Sequence, residues 1–399
     1  MLRLAIALFA VQAGFHGFTA SLPVALARAG VPDPQIGLIV GTAALVQIPA
    51  AFASGVVVDR VGGLRAFMAG GLAYLIGGLI LLLPGVEPGG SPLPFLVARV
   101  FQGIGIAATL PAALSLVPKL VASSRRGFGL AFVGSAHNLT LVAIPPLSLA
   151  VLAATSLHGV ALMSIGFVIA GLVIIRIVPF RFRPAVDGDG GVDGPVGVAQ
   201  RRFGFAFRRP WAPLIAIDLL YITHWGVVVA FLPQRAEAAG ASIGLFFVAD
   251  GIAILLGRVP SGWLSDRMRP VLLILAGLAA TGFAIVLLTQ PPTTPLLIVS
   301  GVLTGAGGAL VITPLLVEMS RRSADADRGS AFALFSAANA SALAVGSIAG
   351  AAIVAALGFE VAMIATLGGA AGAALLAMLD RGLHRRPSAV SELAATPTV

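Results

Sequence analysis

Gly55-Val-Val-Val-Asp59-Arg60-Val-Gly62-Gly63-Leu-Arg65 separates two long apolar runs, and Gly262-Trp-Leu-Ser-Asp266-Arg267-Met-Arg269 repeats it 207 residues later in the same setting. One Gly-x-x-x-Asp-Arg carries little information. Two copies in register, each between apolar runs, mark a chain built in two corresponding halves. Further pairs agree. Leu22-Pro23 recurs as Leu232-Pro233, Ile36-Gly37-Leu38 as Ile243-Gly244-Leu245, Gly103-x-Gly105 as Gly305-x-Gly307, and Arg126-Gly127 as Arg328-Gly329.

The composition is that of an integral membrane protein. Of 399 residues, 58% are hydrophobic and 10% charged, against about 25% charged in soluble domains. Apolar runs of about 20 residues, enough to cross a hydrocarbon core of about 30 Å, lie at roughly 4–27, 36–58, 66–84, 95–118, 128–152 and 159–180, then 211–232, 242–262, 271–290, 296–318, 329–354 and 358–380. The first run, after Arg3, has the outline of a secretory signal. Its counterpart at Leu232-Pro233 assigns it to the mature fold instead. The expected fold is an all-α membrane protein of twelve spans in two six-helix bundles. Residues 1–180 form the N-terminal bundle, 181–210 a linker, 211–383 the C-terminal bundle and 384–399 a tail. Because six is even, the halves are parallel repeats. The linker holds Asp187, Asp189, Asp193 and several glycines between basic clusters, with too little apolar content to bury anything.

The basic residues orient the chain. Arg60, Arg65, Lys119, Arg125, Arg126, Arg267, Arg269, Arg321, Arg322, Arg328 and the arginines of the linker and tail share one side, and only Arg28 and Arg235 fall in loops on the other. Loops rich in Arg and Lys stay in the cytoplasm, so both termini are expected there, in a bacterial inner membrane. The net charge of +9 follows from this topology and from contact with anionic lipid headgroups, not from nucleic-acid binding. With no cysteine, disulfides, thiolate metal sites and cysteine nucleophiles are excluded. Gly77-Gly78, Gly103-x-Gly105 and Gly305-x-Gly307-Gly308 read as helix-packing sites. The second of these is no dinucleotide fingerprint, because no strand precedes it and no third glycine completes it.

The repeated loop resembles the G-x-x-x-D-R-x-G loop between the second and third helices of major facilitator superfamily transporters, and its recurrence in the second half. The resemblance covers essentially the whole spanning region. It implies that Asp59 faces the start of span eleven near Arg328, that Asp266 faces the start of span five near Arg126, and that Glu318 with Arg321 and Arg322 occupies the family's charge-relay position. Gly55 and Gly262 would allow close helix approach, and Arg60 and Arg267 complete the loop motifs. Together these contacts would latch the cytoplasmic side shut in the outward-open state. Arg99-Val-Phe-Gln102-Gly103-Ile-Gly105 resembles the R-x-x-Q-G-x-G motif of the superfamily's proton-coupled exporters. Span five departs from those exporters: where they carry G-x-x-x-G-P-x-x-G-G, this chain reads Val142-Ala-Ile-Pro145-Pro146-Leu-Ser-Leu.

The residues that could carry chemistry lie inside the spans. Arg99 shares a helical face with Gln102 and Thr109, which reads as a cavity position and not as an arginine snorkelling to the interface. Asp218 in span seven and Asp250 in span eight are carboxylates at membrane depth. Such a group persists only when protonated, paired or hydrated, which makes both candidates for proton coupling. For Asp250 the structural alternative is a pair with Arg258. Tyr221 and Trp225 follow Asp218 on one face. Gln12, His16 and Thr19 form a stripe that lines the cavity, and His137, beside Asn138, and His224 are also intramembrane. No two of these histidines have the spacing of a metal site, and no cofactor is expected.

The implied function is secondary active transport by alternating access, with proton-coupled efflux of a small amphipathic organic compound as the first expectation. Partners are then that small molecule, protons and membrane lipids, and the expected state is a monomer. Proton-coupled uptake of an organic anion drawn by Arg99 and His16 is the alternative within the class. A non-transporting receptor or scaffold would add a soluble domain or long tail, where here only Pro387 to Val399 follow Arg386. A membrane-embedded hydrolase lacks a Ser, His and Asp arrangement, so no enzyme activity is expected.

Overall fold

A computed structural model describes residues 1–121, 126–177, 208–324 and 327–385. Most of the linker and the tail from Arg386 onward therefore lie outside the described residues, as do the side chains at Gly55, Asp59, Arg126 and Arg328. Among the described residues the regular structure is helical, and twelve segments are long and apolar enough to cross a membrane.

The first span is made of two helices, α1 (Leu2–His16) and α2 (Ser21–Arg28). The expected continuous span breaks because Pro23 has no N–H to donate and its ring crowds the preceding turn. Gly17 adds a weak helix former at the same place. The corresponding Leu232-Pro233 lies inside an unbroken helix, where Val227, Val228 and Val229 precede it. The remaining spans are α3 (Asp33–Val61), α4 (Gly63–Ile80), α5 (Leu93–Leu116), α6 (Arg126–Ala154) and α7 (Leu157–Ile177) in the first half. In the second half they are α8 (Ala212–Ala238), α9 (Ile243–Ser265), α10 (Pro270–Leu288), α11 (Thr294–Arg321), α12 (Arg328–Leu357) and α13 (Phe359–Leu379). Pro34, Pro94, Pro213, Pro270 and Pro295 sit in first turns, where a missing N–H costs nothing.

The two copies of the repeated loop turn differently. The first reverses on Gly62 alone, at φ 85° and ψ 149°, a region open essentially only to glycine. The second has Arg269 where the first has Gly62, and it uses Asp266 to Arg269 to make the same connection.

We call the side where α1 begins and α13 ends proximal, and the other distal. A single apolar core joins the halves on the distal side, with Phe18, Leu22 and Ile36 from the first half packed among Phe231, Phe246 and Phe359 from the second. On the proximal side the core divides in two. One part, around Leu4, Phe67 and Leu116, belongs to the first half, and the other, around Trp211, Leu278 and Leu315, to the second.

The helix α9 records how the halves part. Gly244, Gly251 and Gly262 share one face at 100° per residue. A Cβ at Gly244 would lie 3.1 Å from the Pro146 side chain, and one at Gly251 would lie 3.2 Å from Cα of Val142, so α9 and α6 touch there. Among the described residues, a Cβ at Gly262 would meet nothing within 4 Å, so no close approach to a described residue is made there in this conformation. On the other flank, Gly37 and Gly41 of α3 bring that helix against Ser347, Ile348 and Ala351 of α12, again toward the distal side. The described hydrogen bonds and ion pairs that cross between halves, Arg28 to Glu237 and Gln234 to Asp33 at 3.1 Å, are distal as well. The protein is closed distally and open proximally.

Candidate functional site

In the first half, α1, α4 and α5 build a buried polar cluster. Tyr74 donates to Gln12 Oε1 at 2.9 Å. Arg99 donates to Gln102 Oε1 at 2.8 Å and to the Val40 carbonyl at 3.0 Å, and its guanidinium lies 5.0 Å from the Phe15 ring centre. Arg99 is 6% exposed, so it is an interior residue and does not snorkel. Gly105 makes room for the Tyr74 ring, which explains why that motif position is small. Thr109 is buried but bonds the Gly105 carbonyl of its own helix at 2.9 Å.

Two histidines extend the cluster from α1 to α6. Phe15 packs edge-on to His16, whose ring centre is 5.4 Å from that of His137 on α6. His137 is half-buried while His16 is buried behind it. Thr19 falls in the break after α1, yet its hydroxyl stays 3.4 Å from His16 Nδ1. The expected helical stripe is therefore bent, and its neighbours are kept. Asn138 turns back to the Gly134 carbonyl of α6 at 3.3 Å, a packing role.

Several buried polar atoms of this cluster have no partner: Gln12 Nε2, His16 Nε2, Arg99 Nε, Gln102 Nε2 and His137 Nδ1. The orientation of Gln102 is fixed, because Arg99 can only donate and so claims the amide oxygen. The remaining NH2 is a donor without an acceptor. Leaving such a group buried costs about 1–3 kcal/mol, and here several converge.

The second half presents a different surface. Tyr221, His224 and Trp225 of α8 continue into Phe246 and Phe247 of α9, with Trp225 stacked on Phe246 at 6.2 Å between ring centres. His224 Nδ1 bonds the Tyr221 carbonyl, and the Tyr221 hydroxyl lies 3.3 Å from that of Thr281. Asp218 is fully buried and its two oxygens make no hydrogen bond, with the Asn339 side chain beside them. Asp250 is 5% exposed and faces Thr304 of α11. The alternative pair of Asp250 with Arg258 is not formed, because the two project about 80° apart around α9.

Arg258 was legible as an intramembrane arginine, but only as a partner for Asp250. It lies instead on the face of α9 that carries Gly251, seven residues further toward the proximal side. It is exposed there and has no carboxylate partner among the described residues.

The proximal loops are organised around Glu318, which is buried and paired with Arg321 at 3.0 Å and Arg322 at 3.5 Å. Arg321 also holds Asp266 at 3.1 Å. That pair lies inside the second half; the expected position of Asp266 near Arg126 rests on a side chain outside the described residues. Arg267 stacks 3.9 Å from the Trp263 ring centre, and Arg60 is exposed. The expected positions of Asp59 near Arg328, and of Arg126, rest on side chains outside the described residues.

The profile of the Major Facilitator Superfamily matches residues 4–242 and again 219–397. The chain belongs to the Major Facilitator Superfamily. An uncharacterised superfamily transporter of Salmonella typhimurium is 24% identical over 312 residues, covering 76% of this chain and 76% of that protein. The gentisate transporter of Corynebacterium glutamicum is 26% identical over 276 residues, covering 64% of this chain but 59% of that protein. Among solved structures, the nucleoside transporter NupG superposes with a TM-score of 0.71 at 12% identity, over 94% of this chain and 98% of that one, a likeness of fold. This superfamily member is a multi-pass membrane transporter.

Proposed function

We propose that this protein is a proton-coupled secondary transporter that exports a small amphipathic organic compound across a bacterial inner membrane by alternating access. The observation that carries the reading is the two-faced opening. A cluster of polar groups stands on the first half, and the aromatic wall from Tyr221 to Phe247 on the second. An amphipathic molecule satisfies both. Asp218 and Asp250, buried between helices of the second half, are the groups that would take up and release the proton. With the proximal side cytoplasmic, as the arginine-rich loops imply, the conformation is inward-open. Export is supported by the Arg99 to Gly105 motif and its buried geometry.

Uptake of an organic anion is the second reading, favoured by the relative named a gentisate transporter. Both readings are tested by flux in proteoliposomes under an imposed pH gradient, with compounds preselected by thermal shift. Accumulation against the gradient's proton flow supports export, and accumulation with it supports uptake. A chain that moves no compound under either polarity is not a transporter of this kind.

A further inference from the structure

Phe15 and Trp225 are counterparts in the two halves, separated by the same 210 residues as Leu22-Pro23 and Leu232-Pro233. Both sit at the depth where the apolar core changes. Val11 and Tyr221, again 210 residues apart, are the last buried residues that α1 and α8 give to the separate proximal cores. Phe18 and Val227 are the first beyond them in the core that joins the halves. Phe15 and Trp225 fall between.

Each ring is also the exposed member of a buried group. Phe15 is half-buried, while His16 edge-on at 5.2 Å between ring centres, Tyr74 at 6.2 Å and the Arg99 guanidinium 5.0 Å from its ring centre are all buried. Trp225 is half-buried too, backed by Phe246 stacked at 6.2 Å, Phe247 edge-on at 6.3 Å and His224 at 6.4 Å, again all buried. Spans one and seven are the two most buried of the twelve, so little of either faces lipid.

We infer that the surface these two rings leave uncovered looks into the space between the halves, and that Phe15 and Trp225 hold a planar aromatic ring of the substrate from two sides. This rests on reading that space as a transport path, and it names the apolar part of the substrate. Parallel repeats are related by an axis along the membrane normal, so counterpart residues stand at one depth on opposite sides of it. Two rings so placed contact a flat molecule edge-on or offset-stacked, the arrangements aromatic groups prefer. Their buried neighbours fix each ring in orientation, so less freedom is lost on binding.

The test uses the full chain in detergent and three matched pairs of probes: benzoate and cyclohexanecarboxylate, benzamide and cyclohexanecarboxamide, benzylamine and cyclohexylmethylamine. The cyclohexyl member presents the more apolar surface, so burial alone favours it. Titration calorimetry should instead show the aromatic member of at least one pair binding at least about threefold more tightly. Trp225→Leu and Phe15→Leu should each abolish that preference, and Trp225→Phe should keep most of it. Binding of the aromatic probe should change the tryptophan emission of the wild type and not that of Trp225→Phe, a response that a ring with only a packing role would not give. Unchanged thermal midpoints show that the variants are folded, and Trp225→Phe, the smallest change, keeps the emission test open where a leucine variant does not fold. No aromatic preference in any pair, a preference that survives Trp225→Leu, or an emission change that persists in Trp225→Phe each overturns the assignment. Flux of an aliphatic compound at equal rates in wild type and Trp225→Leu proteoliposomes would preserve the transport reading while removing this one, so the two failures are distinct.

Discussion

Arg28 at the end of α2 is ion-paired with Glu237 at the end of α8, so a basic residue of the distal loops ties one half of the protein to the other. Arg235, its counterpart in the second half, pairs with Glu360 and stacks 4.9 Å from the Phe359 ring centre. The two exceptions to the one-sided arginine pattern are thus both neutralised. One of them, with the neighbouring Gln234 to Asp33 bond, holds the distal side shut.

Glu237→Gln should therefore favour distal opening. The side chains of Arg28 and Glu237 are 47% and 34% exposed, so solvent screening limits the pair to about 0.2–1 kcal/mol. The expected shift is no more than about fivefold in the open-to-closed ratio. The chain has no cysteine, so spin labels at Ala29→Cys and Ala239→Cys report the distance directly. The charge swap of Arg28→Glu with Glu237→Arg should restore the wild-type distribution.

Asp250→Asn should abolish proton-driven accumulation while leaving counterflow exchange, which needs no net protonation change, largely intact. Its position against Thr304, away from Arg258, leaves no cation among the described residues to pair with a charged carboxylate there. Wild-type pH dependence of active transport in this variant would remove Asp250 from the coupling step. Asp218→Asn tests the second carboxylate in the same assay.

Arg99 holds Gln102 and the Val40 carbonyl together, so Arg99→Lys should keep the charge and lose one of these bonds. The stranded polar group costs about 1–3 kcal/mol, which would lower the thermal midpoint and, by releasing Gln102, impair transport. Arg99→Ala should do more of both. Full stability and activity in Arg99→Lys would show that the fork geometry is not needed.

Gly305 lies against the α9 backbone, and a Cβ there would come within 2.9 Å of the Ala253 side chain and of the Asp250 carbonyl carbon. Gly305→Val should force α11 from α9, lowering the yield of monodisperse protein. Gly262→Val, where a Cβ meets no described residue within 4 Å, should be tolerated for folding. Gel filtration of the two variants side by side checks the contrast.

Asp380, just past α13, gives a pH-dependent term. Partial burial acts to raise its pKa, but two hydrogen bonds from Arg322 at 2.8 and 3.2 Å, the Arg322 charge and the Gly382 and Leu383 N–H groups outweigh it and lower it overall. A carboxylate held below its unfolded value stabilises the fold above that value, and the contribution disappears as pH falls through the folded one. Asp380→Asn should lower the thermal midpoint at neutral pH and flatten the loss of stability below about pH 4. An unchanged acid limb would show that the Arg322 pair does not contribute to it.

Gly262 and Asp266 show how far the repeated loop could be read. The motif located a short charged connection correctly, yet its expected contacts lie across the halves and depend on which side of the protein is closed. In this conformation Asp266 turns to Arg321, and no described residue lies within 4 Å of where a Cβ on Gly262 would be. Span one gives a second case. Its length and apolarity were plain, but the break after His16 depends on Gly17 and Pro23 together, as the unbroken α8 with Val227 to Val229 before Pro233 makes clear.

By itself the sequence determined the twelve spans, the duplication and the sidedness of the arginines, because each follows from local length, local hydropathy or a repeat at constant offset. Only the tertiary structure decided which polar residues meet. Gln12 with Tyr74, Arg99 with Val40 and His16 beside His137 are encounters between distant helices, set by rotations and crossings that small-residue packing fixes and no hydropathy pattern records. It alone decided which end stands open, since in this conformation one apolar core joins the halves distally and two separate cores lie proximally.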